Sequence, residues 1–398
     1  MPEKEKIALC LECPIDQFGG TETLVRELVR GLADRYRITL VSHDDESAIK
    51  KSSVAGKLDG HMAWRPGDIS AAKSRELARA LFEGGVKLAH FHFAGNYGWG
   101  NRYFHKSPIL FLSGLGVPCL STNHGAFSIF DGYCGPQRSV FVKAGLFPPA
   151  WLNKLRVLGR LQTEIAVSQH DYRALRRWYW PLRAKFGQIY HSQLHLSQIN
   201  EVPVPAADRS KTIICVGTIG LRKGQTFLAH AFSRIAAEFP DWRLALIGRH
   251  GEAGMVDEIK GAIARHQLSE RILLLDKCSN EEVDRWMRTA AIFAMPSLYE
   301  GLGLSLQEAL FHGCACIGSS AGGITDLIEN DSNGILVERG NTDQLARGLQ
   351  RLMAGEDLRA RLGAQARQSI IQKEMFAEKM VEKYDRLYRE IRPPRQAS

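Results

Sequence analysis

Two glutamates separated by seven residues, Glu300 and Glu308, enclose the loop Gly301-Leu302-Gly303-Leu304. Upstream, the apolar run Ala291 to Met295 reads as a buried strand. Downstream, an amphipathic helical pattern carries Glu308 close to its start. Strand, glycine loop and helix N-terminus form a place where an anion can rest on free backbone N–H groups. Carboxylates do not bind phosphate, but they accept hydrogen bonds from hydroxyls. The ligand implied by this spacing therefore carries both a phosphate and a sugar. Arg222 and Lys223, beside a turn containing Gly217, Gly220 and Gly224, offer two cations to offset the charge of a diphosphate.

The Glu300–Glu308 segment resembles the signature of the retaining nucleotide-sugar glycosyltransferases of family 4. The resemblance runs from about residue 211 to 355, through Cys215-Val216-Gly217, Arg222-Lys223-Gly224, His312-Gly313-Cys314-Ala315-Cys316-Ile317, Gly322-Gly323-Ile324-Thr325-Asp326 and Asn333-Gly334-Ile335-Leu336-Val337. Asp326 stands where the family usually has glutamate, and Thr218 where it has an arginine. Arg222 is the candidate to supply that missing guanidinium, and Lys223 occupies the family's lysine position. The resemblance implies that Glu308 accepts from the donor's ribose hydroxyls and that Glu300 meets the transferring sugar. It also implies that the amides of Gly301, Leu302, Gly303 and Leu304 hold the sugar or diphosphate. Base contacts would fall near Lys277 and Cys278. In the N-terminal half, His124 follows a strand where the family places a histidine near the reacting carbon or the phosphates. Gly19 and Gly20 match its first strand–helix turn, where donor phosphate and acceptor approach the backbone. Taken alone, His124 would read as a structural histidine and Gly19-Gly20 as a tight turn. The pair His90 and His92 falls on one strand face and reads as structural.

The elements that must position these residues alternate along the chain. Ile7–Leu11, the helical stretch Thr23–Tyr36 and Ile38–Ser42 make a βαβ unit, which argues for a parallel sheet covered by helices. The alternation restarts after Val202-Pro203-Val204-Pro205, the best linker in the chain. The expected fold class is α/β, with two Rossmann-like doubly wound domains facing a cleft, the GT-B architecture. Residues 1–202 would form the acceptor-binding domain and 203–375 the nucleotide-sugar domain. The helical tail from 376 to 398 would pack back on the first.

Composition is that of a soluble globular protein, with 44% hydrophobic and 24% charged residues. The N-terminus has no apolar signal core and no stretch reaches membrane-helix length, so a cytoplasmic chain is expected. The eight cysteines read as small buried hydrophobes of a reducing compartment. The net charge of +9 is uneven: residues 143–185 hold nine Lys and Arg against Glu164 and Asp171, interleaved with Trp151, Trp178, Tyr179 and Trp180. Such a stretch suits an anionic membrane surface on the inner face, single-stranded nucleic acid, or a solvated helical face over core aromatics. No nucleic-acid partner is expected.

No Asp-x-Asp motif occurs, which agrees with metal-independent transfer and no cofactor beyond the donor substrate. A dehydrogenase would need a GxGxxG after a strand, and Gly95-Asn96-Tyr97-Gly98-Trp99-Gly100 has the wrong spacing. A glycoside hydrolase would use two carboxylates but leave the phosphate-type loop without purpose. The expectation is a retaining hexosyltransferase acting on a saccharide or lipid-linked acceptor in cell-envelope polysaccharide or lipopolysaccharide synthesis. The alternative is a non-catalytic GT-B-like protein binding membrane or nucleic acid.

Overall fold

The computed structural model describes residues 3–17, 19–65, 68–93, 95, 97–101, 103–125, 139–276 and 278–391, the side chains of 140 and 143 excepted. The chain divides into two compact units, Met1–His195 with Phe376–Ser398, and Leu196–Met375.

The first unit is built on seven parallel strands. They are β1 (Lys6–Leu11), β2 (Arg37–Ser42), β3 (Gly60–Ala63), β4 (Leu88–Phe93), β5 (Cys119–Asn123), β6 (Glu164–Ala166) and β7 (Phe186–Gln188). Their spatial order is β3-β2-β1-β4-β5-β6-β7. A parallel sheet covered on both faces needs strands that are apolar throughout, and β1 shows the division. Ile7, Leu9 and Leu11 enter one core layer, and Ala8 and Cys10 enter the other. The C-terminal helix Ala377–Ile391 belongs to this unit. Its Tyr384 and Tyr388 lie in the same layer as Ile7 and Leu9. Asp385 fixes its rotation, accepting from Arg35 Nη1 at 2.5 Å and Tyr36 Oη at 2.7 Å. Gly31 lets the helix Gly20–Leu32 approach closely, since a Cβ there would sit 2.7 Å from Val381 Cγ2.

The second unit holds β8 (Ser210–Val216), β9 (Arg243–Ile247), β10 (Ile272–Leu275), β11 (Ala290–Met295), β12 (Ala315–Ser319) and β13 (Ile335–Val337). All are parallel, in the order β10-β9-β8-β11-β12-β13. In each unit the chain reverses its direction of travel across the sheet once, between β1 and β4 and between β8 and β11. Open α/β sheets bind ligands outside the carboxyl ends of the strands at such a point.

The division falls at His195/Leu196, earlier than the proline segment at 202/203 suggests. Side chains of the second unit explain the difference. Arg367 Nη2 donates to the carbonyls of Ile199 at 2.9 Å and Glu201 at 2.7 Å. Arg209 Nε donates to Val204 O at 3.1 Å, and its Nη1 donates to Ala290 O at 2.9 Å. The proline-rich stretch is thereby stitched to the second unit.

Candidate active site

Three loops at the carboxyl ends of β8, β11 and β12 meet around Glu300. The loop after β8 turns through Gly217 and Gly224, both at positive φ (146° and 70°). A side chain at Gly224 would run into the carbonyl of Pro296, so glycine is needed there for both conformation and space. Leu298 N–H donates to Arg222 O at 2.8 Å, tying the β8 loop to the β11 loop. From the third loop, Gly323 N–H donates to Glu300 O at 2.9 Å. Gly322, at φ 56°, leaves room for that carbonyl.

The main chain of Glu300 is thus fixed, and its carboxylate faces the two expected cations. Lys223 Nζ lies 2.7 Å from Oε2, and Arg222 Nη1 lies 3.4 Å from the same oxygen. Ser297 Oγ, which the sequence reading missed, donates to it at 3.5 Å. The Glu300 side chain is 12% exposed and that of Lys223 17%, whereas that of Arg222 is 44% exposed. Burial pushes the carboxyl pKa up, but Lys223 and Arg222 outweigh it and hold it below the usual range. Two cations and one carboxylate leave the cluster net positive and prepared for an anion.

The helix Leu304–Phe311 starts directly behind this loop. Its N-cap is Gly303 at φ 93°, which has no side chain to cap the first-turn N–H groups. Glu308 is the fifth residue of this helix and partly buried. It therefore lies beyond the first turn, and the helix dipole, which fades within that turn, does not account for it. Gly301 and Leu302 are buried, and Leu304 opens the helix. Gln225 fixes the phosphate-type loop by donating to Gly217 O at 3.1 Å and Thr218 O at 3.2 Å. Lys277 lies outside the described residues, and Cys278 is partly exposed.

In the first unit His124 follows β5, and its N–H donates to Phe93 O at 2.9 Å. It belongs to an array of four histidines that sequence spacing did not reveal. His124 Nε2 lies 3.1 Å from His92 Nδ1. The rings of His92 and His90 are 4.0 Å apart, and those of His124 and His191 are 5.2 Å apart. His90 contacts Tyr388 Oη at 2.6 Å through Nδ1 and Thr122 Oγ1 at 2.8 Å through Nε2. Tyr384 Oη joins Thr122 Oγ1 at 2.8 Å and His191 Nε2 at 2.9 Å. Burial pushes His124 down to about 3 and lowers His90, His92 and His191 well below their ordinary value. All four rings are neutral at physiological pH. Alternation along β4 announces the shared face of His90 and His92. Nothing local to His191, Tyr384 or Tyr388 links them to it.

Gly19 and Gly20 open the helix Gly20–Leu32. Gly19 has φ 178°, extended backbone that any residue adopts. A Cβ there would meet only the carboxylate end of the Glu22 side chain, which can move aside, so neither conformation nor fixed backbone requires glycine at this position.

The basic stretch 143–185 changes character in three dimensions. Lys154 is not a surface cation: it is fully buried and paired with fully buried Glu164 at 2.6 Å. Asp171 and Tyr179 are also buried. Trp151 Nε1 donates to Trp178 O at 2.9 Å, and both rings pack against the core. Arg156, Arg160, Arg173, Arg177 and Arg183 are exposed, with no exposed carboxylate among the described residues from 139 to 185. The side chain of Lys143 lies outside the described residues. The most exposed apolar groups there are Phe141 (90%), Trp180 (68%) and Leu152 (53%), with Val142 and Leu146 exposed beside them.

Two family models match the chain. "Glycosyltransferase Family 4" covers residues 18–191 and "Glycosyl transferases group 1" covers residues 198–369. The chain is 28% identical over 185 residues to N-acetyl-alpha-D-glucosaminyl L-malate synthase of Bacillus anthracis, covering 46% of this chain and 47% of that protein. It is 26% identical over 154 residues to the lipopolysaccharide core biosynthesis mannosyltransferase LpcC of Rhizobium leguminosarum bv. viciae, covering 38% and 43%. The chain thus spans about half the length of the curated relatives it matches. Among solved structures, HepE of Anabaena in complex with UDP superposes with a TM-score of 0.73 at 16% identity, covering 97% of this chain and 100% of that one. With one family model on each doubly wound unit and the same fold in HepE, the chain belongs to the family 4 glycosyltransferases of the GT-B fold.

Proposed function

We propose that the protein moves a hexose, with retention of configuration, from a nucleotide-diphosphate sugar to a hydroxyl of a saccharide or lipid-linked acceptor of the cell envelope. The observation that carries this is the Lys223–Glu300–Arg222 cluster in its glycine-cut frame. In the free protein Glu300 occupies the two cations. A diphosphate takes them over and frees the carboxylate to accept from the sugar hydroxyls. Glu308 accepts from the ribose, and the uncapped N–H groups behind Gly303 add to the anion site. The bond from C1 to the phosphate oxygen breaks and the bond from the acceptor oxygen to C1 forms on the same face. The acceptor's proton passes to the released diphosphate. Lys223 and Arg222 stabilise the charge on that leaving group, which makes the transfer metal-independent.

Two named relatives support the envelope setting. One is the LpcC protein, and the other is a Campylobacter jejuni N-acetylgalactosaminyltransferase whose name includes a diphospho-undecaprenol. HepE has been solved with UDP-glucose, which makes UDP the first donor base to try. The acceptor is met at an anionic membrane surface, through the exposed cations of 156–183 and the apolar groups Phe141, Leu152 and Trp180. No helix among the described residues is long and apolar enough to cross a membrane.

The test is a thermal melt with UDP, GDP and ADP in separate wells. Ligand at 100 times its Kd stabilises by about 2.7 kcal/mol, a shift of several degrees. A shift with one nucleotide names the donor base, and no shift with any at millimolar concentration sinks the donor site. Flotation with phosphatidylglycerol and with phosphatidylcholine vesicles at low salt tests the surface. Equal recovery with both would remove the anionic membrane from the proposal.

A further inference from the structure

His92 is fully buried on β4, and its carbonyl accepts from Trp99 Nε1 at 3.0 Å. Its Nδ1 faces His124 Nε2 at 3.1 Å. Its Nε2 is buried without a hydrogen-bond partner among the described residues. A neutral imidazole has one proton, and here that proton has two possible seats. On Nε2 it would be an orphan N–H in the core, and His124 would have to donate from its own Nε2. On Nδ1 it satisfies the contact with His124 and leaves only an unfilled lone pair on Nε2. An unpaired buried donor costs about 1–3 kcal/mol, and buried N–H groups are seldom left orphaned. The proton therefore sits on Nδ1 of His92. His124 Nε2 must then accept, and the proton of neutral His124 lies on its own Nδ1. That nitrogen has no partner among the described residues, and the ring is partly exposed. The array behind leaves no slack, because His90 is held at both nitrogens and stacks on His92.

We infer that His92 is a positioning residue that holds His124 as its Nδ1–H tautomer, so that His124 meets substrate as a hydrogen-bond donor and not as a base. This rests on the proposed transfer and on the role that the family resemblance implies for His124, near the reacting carbon or the phosphates. An N–H suits an oxygen that gains negative charge or a hydroxyl of the transferring sugar. It cannot take the proton of the acceptor hydroxyl, which agrees with delivery of that proton to the released diphosphate.

The full chain with ¹⁵N-labelled histidine tests this directly. Long-range ¹H–¹⁵N correlation separates Nδ1–H from Nε2–H rings, and the loss of one signal set in His124→Asn assigns His124 among the 13 histidines. The expected wild-type result is the Nδ1–H form. His92→Phe should shift it to a mixture. His92→Asn, whose amide N–H falls near the Nδ1 position, should keep it. In turnover, His124→Asn should retain more activity than His124→Gln, whose amide lies at the Nε2 position. His92→Phe should lower kcat roughly tenfold or more with the donor KM little changed, as loss of an orienting partner does. A wild-type spectrum showing Nε2–H on His124 overturns the inference whatever the activity does. So does an unchanged tautomer and kcat in a folded His92→Phe. An Nδ1–H spectrum in a protein that turns over no sugar nucleotide supports the tautomer and overturns the proposed reaction instead.

Discussion

At the residue scale, Glu300 and Glu164 are two carboxylates with opposite duties. Glu300 holds Lys223 and Arg222, the cations that the donor diphosphate takes over in the proposed reaction. Glu300→Ala should lower turnover by about 10²-fold or more, as for loss of a preorganised polar group. Titration calorimetry should meanwhile show the free nucleotide diphosphate binding at least as tightly as to wild type, because the carboxylate no longer competes for Lys223 and Arg222. Weaker nucleotide binding in this variant would mean that Glu300 does not compete with phosphate. Glu164 instead neutralises Lys154 in the core and accepts from Ser121 Oγ at 3.1 Å and Asn123 Nδ2 at 3.4 Å. Removing one partner of a buried ion pair costs about 3–5 kcal/mol, while removing both with apolar replacement is often near neutral. Urea melts should find Glu164→Gln strongly destabilised and Lys154→Met with Glu164→Gln largely restored. Equal losses in both would indicate that packing and not the orphan charge sets the cost. The sequence showed both residues as charges in a basic stretch and could not show that they cancel inside.

Loops and helices carry the next level. Gly224 adopts the left-handed region and touches Pro296 O, so the β8 loop can sit on the β11 loop only while residue 224 lacks a Cβ. Gly224→Ala should cost more than the 1 kcal/mol or so typical of backbone strain alone, because the neighbouring carbonyl must also move. The nucleotide-dependent thermal shift should be lost while the far-UV spectrum is kept. A wild-type shift in this variant would remove the loop contact from the donor site. This loop was legible because glycine, lysine and arginine in a strand–turn–helix context point to an anion. Its fit against Pro296, and the start of the helix at Leu304, were not legible. Both depend on how two strands far apart in sequence end side by side. The C-terminal helix was legible as a helical tail packing on the first unit, but the contacts of the Tyr384 and Tyr388 hydroxyls with Thr122, His191 and His90 were not.

For the first unit as a whole, the neutral histidines imply a pH dependence. Folded, His90, His92, His124 and His191 resist protonation, while in the unfolded chain each takes a proton near pH 6.5. Below that value the unfolded state binds more protons, so stability falls as the pH falls, until the folded rings protonate as well. For His124 this window runs from about 6.5 down to about 3. Each fully buried ring should remove about 1 kcal/mol between pH 7.5 and 5.5. Urea midpoints for the first unit at those two pH values check this. A flat response would show that none of the four is held neutral in the folded state, and a partial one that some are already charged there.

The sequence alone determined the two rounds of strand–helix alternation and the family, and it singled out Lys223 and Arg222 as candidate phosphate cations and Glu300 as a candidate sugar contact. These follow from local rules: apolar period, glycine in turns, and charge beside a helix start. The tertiary structure decided that the proline stretch joins the second unit, that Lys154 and Glu164 are core groups, and that His124 stands on His92. Each of those depends on which side chains meet across tens or hundreds of residues. Burial and hydrogen bonding, and not residue type, then fix whether a group is charged, neutral or exposed.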